Sequence, residues 1–193
     1  PTQTSHEYMR WHDKYQPRDY KVKNRYGDAK DLSKLAERIH KYGLKLITDV
    51  VFNHMGSITW FNHITKEKFH NDKKGYAKYR KDLINTYQDV FKPKGSTNDP
   101  NYYFTEWNEE GWMGGSLPQL NTMHPDVKNV QINYLKLLIN LGVDGFRFDA
   151  IKNIDKRSLR DYVAAAGNKW VYGELCSGDL KQNHEFTPIM PIT

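Results

Sequence analysis

Apolar and polar positions along this chain switch between a helical period and short unbroken apolar runs, and the order of the switches predicts an architecture. In "GDAKDLSKLAERIHKYG", residues 27–43, Leu32, Leu35, Ala36 and Ile39 recur at helical spacing and a glycine closes the segment. "LKLITDVVF" follows at once, a β-branched run that reads as a buried strand ending at Asn53 and His54. The periodicity then disappears until about residue 121, across stretches such as "YQDVFKPKGSTNDPNYYFTEWNEEGWMGG". A structureless loop of that length does not suit a compact domain, so residues 55–121 are expected to form a small inserted subdomain. "HPDVKNVQINYLKLLINLG" restores a helix, with Val130, Tyr134, Leu137, Leu138 and Leu141 on one face, Pro125 in its first turn and Gly142 at its end. "VDGFRFDA" is the next strand, "DKRSLRDYVAAAG" the next helix and "KWVYGEL" the strand after it.

Strands separated by helices predict an α/β fold with parallel pairing, which leaves the doubly wound sheet and the (β/α)8 barrel. No Gly-rich phosphate loop follows any strand, which argues against a nucleotide-binding sheet.

Composition narrows the partners. The formal charge of +6 comes from 29 basic and 23 acidic residues, with the lysines scattered rather than gathered into a stripe or a recognisable module, so nucleic acid is not an expected partner. No apolar run reaches the roughly 18 residues of a membrane span, so no membrane partner is expected either. A single cysteine, Cys176, excludes an intrachain disulfide and a multi-cysteine metal site, and it reads best as a small buried apolar residue. The chain opens on Pro1, without an apolar leader, so a processed or excerpted chain is expected. Localisation stays open, with secretion expected over a cytoplasmic site.

The chemistry is concentrated at strand ends. "GVDGFRFDAIKN", residues 142–153, sets Asp144, Arg147, Asp149 and Lys152 into an apolar run. Each strand finishes in polar residues: Asn53 and His54, then Arg147 and Asp149, then Glu174. In a barrel those carboxyl ends carry the active site. Asp149 and Glu174 come from consecutive strands and can face one another across a cleft, and two carboxyl groups flanking a bond are the working parts of a glycosidase. Arg147, two residues before Asp149 and on the same side of the strand, is expected to hold that carboxylate ionised as a nucleophile, while apolar neighbours favour a protonated Glu174 as the acid/base.

These residues carry a family resemblance. "DVVFNH" (49–54), "GFRFDAIKN" (145–153) and "YGEL" (172–175) resemble three of the four short motifs of the alpha-amylase superfamily, glycoside hydrolase family 13, in the same order. "KYQPRDYKV" resembles the segment after the family's second barrel strand, and "LPQLN" (117–121) its motif near the end of the inserted domain. The resemblance implies a partial (β/α)8 barrel, about strands two to five, over residues 1–54 and 122–193, with 55–121 as the inserted domain. It implies a retaining mechanism on α-1,4-glucosidic bonds of starch, glycogen or maltooligosaccharides, with Asp149 as nucleophile, Glu174 as acid/base and Arg147 orienting the nucleophile. By the same pattern His54 binds the sugar in the reacting subsite, Tyr15 stacks on it beside Gln16, and Lys152 contacts the sugar on the leaving side. Asn53 matches the position of a calcium ligand.

Three departures from the pattern stand out. Asn153 replaces a usual histidine, Gln119 replaces an aspartate of calcium-dependent members, and the fourth motif has no counterpart. "NHEF" (183–186) lies too soon after Glu174 to fill that place. The chain is therefore expected to be an internal piece of a longer enzyme and inactive alone. A glucanotransferase or α-glucosidase of the family uses the same carboxylates, and a noncatalytic binding subunit is the remaining alternative.

Overall fold

Parallel strands cannot be joined by tight turns, and the helices between the apolar runs supply the crossovers. The computed structural model describes residues 14–17, 20–24, 26–54, 119–120, 122–123 and 125–193, so the inserted stretch predicted over 55–121 lies almost wholly outside them. Strands β1 (Ile47–Val50), β2 (Gly145–Phe148) and β3 (Trp170–Gly173) form one parallel sheet in that order. Helix α1 (Ala29–Lys41) precedes β1, α2 (Pro125–Asn140) leads into β2, α3 (Lys156–Ala166) joins β2 to β3, and the short α4 (Leu180–Phe186) follows β3. Beyond α4 the chain returns to the sheet. Ile192 bridges Gly173 in parallel, and Gly173 N–H donates to Pro191 O at 2.8 Å. Residues 191–193 thus begin a fourth parallel position beside β3, one more than the three strands read from the apolar pattern.

Register decides which side chains share a face. Asp49, Arg147 and Tyr172 lie in one row, and Ile47, Gly145 and Trp170 in the row before it. Val50, Phe146 and Phe148 point the other way, into a core with Leu135 and Leu138 of α2 and Leu159 and Tyr162 of α3, all at most 1% exposed. Phe52 sits among them, 5.0 Å from the Tyr162 ring and 5.8 Å from that of Phe148. These rings meet edge-on, the geometry that aromatic quadrupoles favour. The opposite face carries the charges, with Ile47 and Trp170 exposed at its lower end.

The helices differ from the expected faces in detail. On α2 the buried stripe is Val127, Gln131, Tyr134, Leu135 and Leu138, whereas Val130 and Leu137 are exposed. The polar Gln131 occupies a core position that a purely apolar template passes over. On α1 only Ala36 is fully buried, and Leu35 is exposed. That helix starts on a reciprocal cap, Asp28 accepting from Asp31 N–H and Asp31 from Asp28 N–H. Gly142 ends α2 with φ +96°, and a Cβ there would lie 2.8 Å from that of Ala36. Close passage of α1 over this turn requires glycine. His184 and Glu185 of "NHEF" lie inside α4, so that segment is no strand end.

Candidate active site

Where a strand ends, its carbonyls lose their ladder partners and must find others. Beyond β1, Val50 O accepts from Asp149 N–H at 3.0 Å, Val51 O from the Tyr20 hydroxyl at 3.2 Å, Phe52 O from Gln131 Nε2 at 2.8 Å, and Asn53 O from Leu120 N–H at 2.8 Å. This fixes the segment that presents Asn53 and His54. Beyond β2, Ala150 adopts φ +48°, and its N–H donates to Glu174 Oε2 at 3.1 Å while Ile151 N–H donates to Glu174 O at 3.1 Å. The ends of β2 and β3 are thereby stitched together at the two carboxylates.

Arg147 stands at the centre. Its Nη1 lies 2.6 Å from Asp49 Oδ2 and 3.5 Å from Asp149 Oδ1, and Nη2 lies 2.8 Å from Glu174 Oε1. Its guanidinium carbon lies 5.8 Å from the centre of the Tyr15 ring, whose hydroxyl donates to Asp49 Oδ2 at 2.9 Å. Arg147 does contact Asp149 and favours its ionised form, but its two short contacts go to Asp49 and Glu174. Asp149 is buried, and that burial, the nearby charges of Glu174 and Asp49 and a hydrogen bond to the Glu174 carboxyl raise its pKa well above the usual carboxylate range. Asp49 is raised too, mainly by burial, against the pull of Arg147. Burial pulls Arg147 down, but the surrounding carboxylates outweigh it and leave it raised.

The other predicted contacts are engaged within the protein. His54 is 2% exposed, with Nε2 at 2.9 Å from Tyr15 O and Nδ1 at 3.3 Å from Asn53 Nδ2. Assigning the proton to Nε2 lets it donate to the carbonyl and leaves Nδ1 to accept. Burial lowers the His54 pKa to about 4, so the ring is neutral at pH 7. Burial and the bond to Asp49 push Tyr15 up to about 12. Gln16 is half-buried beside it. Lys152 does not reach outward: it is 2% exposed and donates to Cys176 O at 3.0 Å, and burial lowers its pKa. Cys176, expected inside, is exposed. The Asn53 side chain is fully buried, and among the described residues its Oδ1 has no hydrogen-bond donor. A cavity of about 570 Å³ lies at the opposite end of the strands, lined by Lys45, Ile47, Asp144, Asn168, Lys169 and Trp170, and contains none of these groups.

Comparison with known proteins decides what this arrangement belongs to. The family model of the alpha amylase catalytic domain matches residues 3–190. This chain belongs to the alpha-amylase family. It is 30% identical over 182 residues to an alpha-amylase of Saccharomycopsis fibuligera, covering 93% of this chain and 34% of that protein. It is 26% identical to an oligo-1,6-glucosidase of Parageobacillus thermoglucosidasius (89% and 31% covered) and 31% identical to a 4-alpha-glucanotransferase of Thermotoga neapolitana (79% and 33%). The chain therefore spans about a third of the length of these relatives. The alpha-amylase of Geobacillus thermoleovorans, solved with acarbose, superposes with a TM-score of 0.72 at 24% identity, covering 94% of this chain and 37% of that one, a likeness of fold.

Within this alpha-amylase-family site, reasoning from sequence passed over Asp49. It heads the quoted "DVVFNH", but a lone aspartate mid-strand looks like any charge, and only the register places it opposite Arg147.

Proposed function

We propose that the intact protein is a retaining glycoside hydrolase acting on α-1,4-glucosidic bonds of starch, glycogen or maltooligosaccharides. The observation that carries the reading is that one guanidinium, that of Arg147, contacts both the Asp149 and the Glu174 carboxyl groups at the ends of adjacent strands, at 3.5 and 2.8 Å. A retaining enzyme sets its two carboxyl groups about 5–5.5 Å apart, which suits two carboxyls that share one guanidinium partner. Side-chain exposure divides the roles, 9% for Asp149 and 37% for Glu174. The deep Asp149 attacks the anomeric carbon, and the outer Glu174 protonates the leaving oxygen and then activates water. For this chemistry Asp149 acts as the ionised nucleophile and Glu174 as the proton donor. Arg147 offsets charge on both as this happens. Tyr15 lies against the same cluster through Asp49 and Arg147, and Gln16 follows it in the chain, while His54 and Lys152 meet substrate only by giving up their present partners.

Two neighbouring activities, transfer between glucans and release of glucose from small glucosides, follow from the same carboxylates and accord with the names of the glucanotransferase and glucosidase relatives. A noncatalytic binding role is disfavoured because Asp149, Glu174 and Arg147 are all present. The barrel of about strands two to five, the inserted domain over 55–121 and secretion belong to this proposal. Calcium does too. Asn53 Oδ1, buried and without a donor among the described residues, suits a hard cation, which would supply a fixed charge tying the strand end to the returning chain. The described residues hold no group of three His, Cys, Asp or Glu able to complete its shell. A chelator should lower the melting temperature of the intact protein, with calcium restoring it; an unchanged melt sinks that part.

The central test is the anomeric form of the first product released from maltoheptaose, followed by NMR. An α product, lost in Asp149→Asn and Glu174→Gln, is expected. A β product would overturn the retaining mechanism.

A further inference from the structure

The four carbonyls after β1 are satisfied from four different directions, and one donor does more than its share. Gln131 is fully buried on α2. Its Nε2 donates to Phe52 O at 2.8 Å and to the Tyr20 hydroxyl at 2.9 Å, and its Oε1 accepts a short hydrogen bond from the Tyr162 hydroxyl on α3. Tyr20, so oriented, donates to Val51 O. Burial holds both phenols above their ordinary pKa, so both stay protonated donors.

We propose that Gln131 is a positioning residue for the active site, holding the segment 51–54 through the Phe52 carbonyl and the Tyr20 hydroxyl. The inference deepens the glycosidase reading and rests on it only for its catalytic consequence. Two residues past Phe52 stands His54, whose ring meets the Tyr15 carbonyl, and Tyr15 in turn meets Asp49 beside Arg147. An apolar side chain at 131 would fill the same space in the core. It would leave the Phe52 carbonyl buried without a donor and free Tyr20 to turn, and the strand end would shift to recover a partner.

The test uses Gln131→Leu in the intact protein, with Ser158→Ala as a control that removes a different buried hydrogen bond, from Ser158 Oγ to Thr122 O. Hydrogen exchange read by mass spectrometry should rise about tenfold in peptides covering 50–54 and stay near wild type in those covering 145–149. Turnover of a short maltooligosaccharide should fall about tenfold in kcat, with KM within about threefold, while the control keeps kcat. Exchange that rises equally across both strands, or not at all, overturns the positioning role. Should Gln131→Leu not fold, Tyr162→Phe, which loosens the amide at its oxygen end alone, should raise exchange at 50–54 about threefold; no rise overturns the proposal. Because exchange needs no turnover, an inactive wild type with the expected exchange pattern would fault the glycosidase reading and leave Gln131's role standing.

Discussion

Replacing Arg147 with methionine keeps much of the side-chain volume and removes the one cation from three carboxylates. In the native site the guanidinium contacts Asp49, Glu174 and Asp149 at 2.6, 2.8 and 3.5 Å. At an effective dielectric constant of about 20, unit charges some 4 Å apart attract by about 4 kcal/mol, so the contacts to Asp49 and Glu174 amount to roughly 8 kcal/mol gross, and Asp149, whose burial favours its neutral form, adds less. Desolvation of the guanidinium offsets much of that, and the partial exposure of Glu174 lets solvent screen its share. Breaking a largely buried pair then costs about 3–5 kcal/mol at neutral pH. The sign of the pH dependence follows. Without Arg147 the carboxylates repel, and protonation relieves them, so the penalty should be largest above the carboxyl range and shrink as the pH falls towards 5. Urea unfolding of wild type and Arg147→Met in the intact protein, at pH 5 and pH 7.5, measures this. An equal loss of stability at both pH values would refute the electrostatic argument and leave only packing.

Three further outcomes follow from the geometry. Asp144, half-buried at the other end of the sheet, accepts from Leu46 N–H at 2.8 Å and pairs with His40 at 2.7 Å; these outweigh burial and lower its pKa to about 2. Its contribution is present above its unfolded value near 4 and is lost as the pH falls towards 2; discounted for solvent it amounts to about 1 kcal/mol, so Asp144→Asn should destabilise at pH 7 and converge with wild type in acid unfolding. Lys152→Met removes the donor to Cys176 O, so the exposed Cys176 thiol should react several-fold faster with a disulfide reagent, and an unchanged rate would show the loop to be held elsewhere. The 193-residue chain alone is expected to give no turnover of starch and to bind a hydrophobic dye through its uncovered sheet face, where Ile47 and Trp170 are exposed; turnover by purified chain would count against this.

How much of this was legible in the sequence depends on the range of the interaction. The helices and strands follow from local period and caps, and the candidates Asp149, Glu174 and Arg147 follow from polar residues at strand ends. Their pairing does not. Arg147 precedes Asp149 by two residues, which reads as a pair, yet the i, i+2 spacing sets it one row lower, level with Asp49 of the neighbouring strand. Side-chain direction was equally hidden: Lys152 carries a charge and looks solvent-seeking, but a one-turn 3-10 helix, Ile151–Asn153, turns it inward onto Cys176 O. Gln131 and Tyr162 looked like ordinary helix residues because their polar ends are satisfied by carbonyls and hydroxyls more than 30 positions away.

Charge accounting then explains why the Asp149 carboxyl is raised. Asp49, Asp149 and Glu174 surround one guanidinium, so full ionisation would leave two uncompensated negative charges in a largely buried cluster. The neighbouring groups bring no relief: His54 is neutral, and the Lys152 amine faces Cys176 O. Burial makes that state costly, and Asp149, raised by its burial and by the charges of Glu174 and Asp49, keeps its proton to higher pH than an ordinary carboxyl. The raised Asp149 carboxyl thus owes part of its shift to the shortage of cations, and Asp49 sustains that shortage by occupying Arg147 at 2.6 Å. It follows that Asp49→Asn should release Arg147 towards Asp149, lower the pKa of that carboxyl, and move the acid limb of the intact enzyme's pH–rate profile to lower pH. A limb that stays in place or moves up would mean that the proton is held by burial alone.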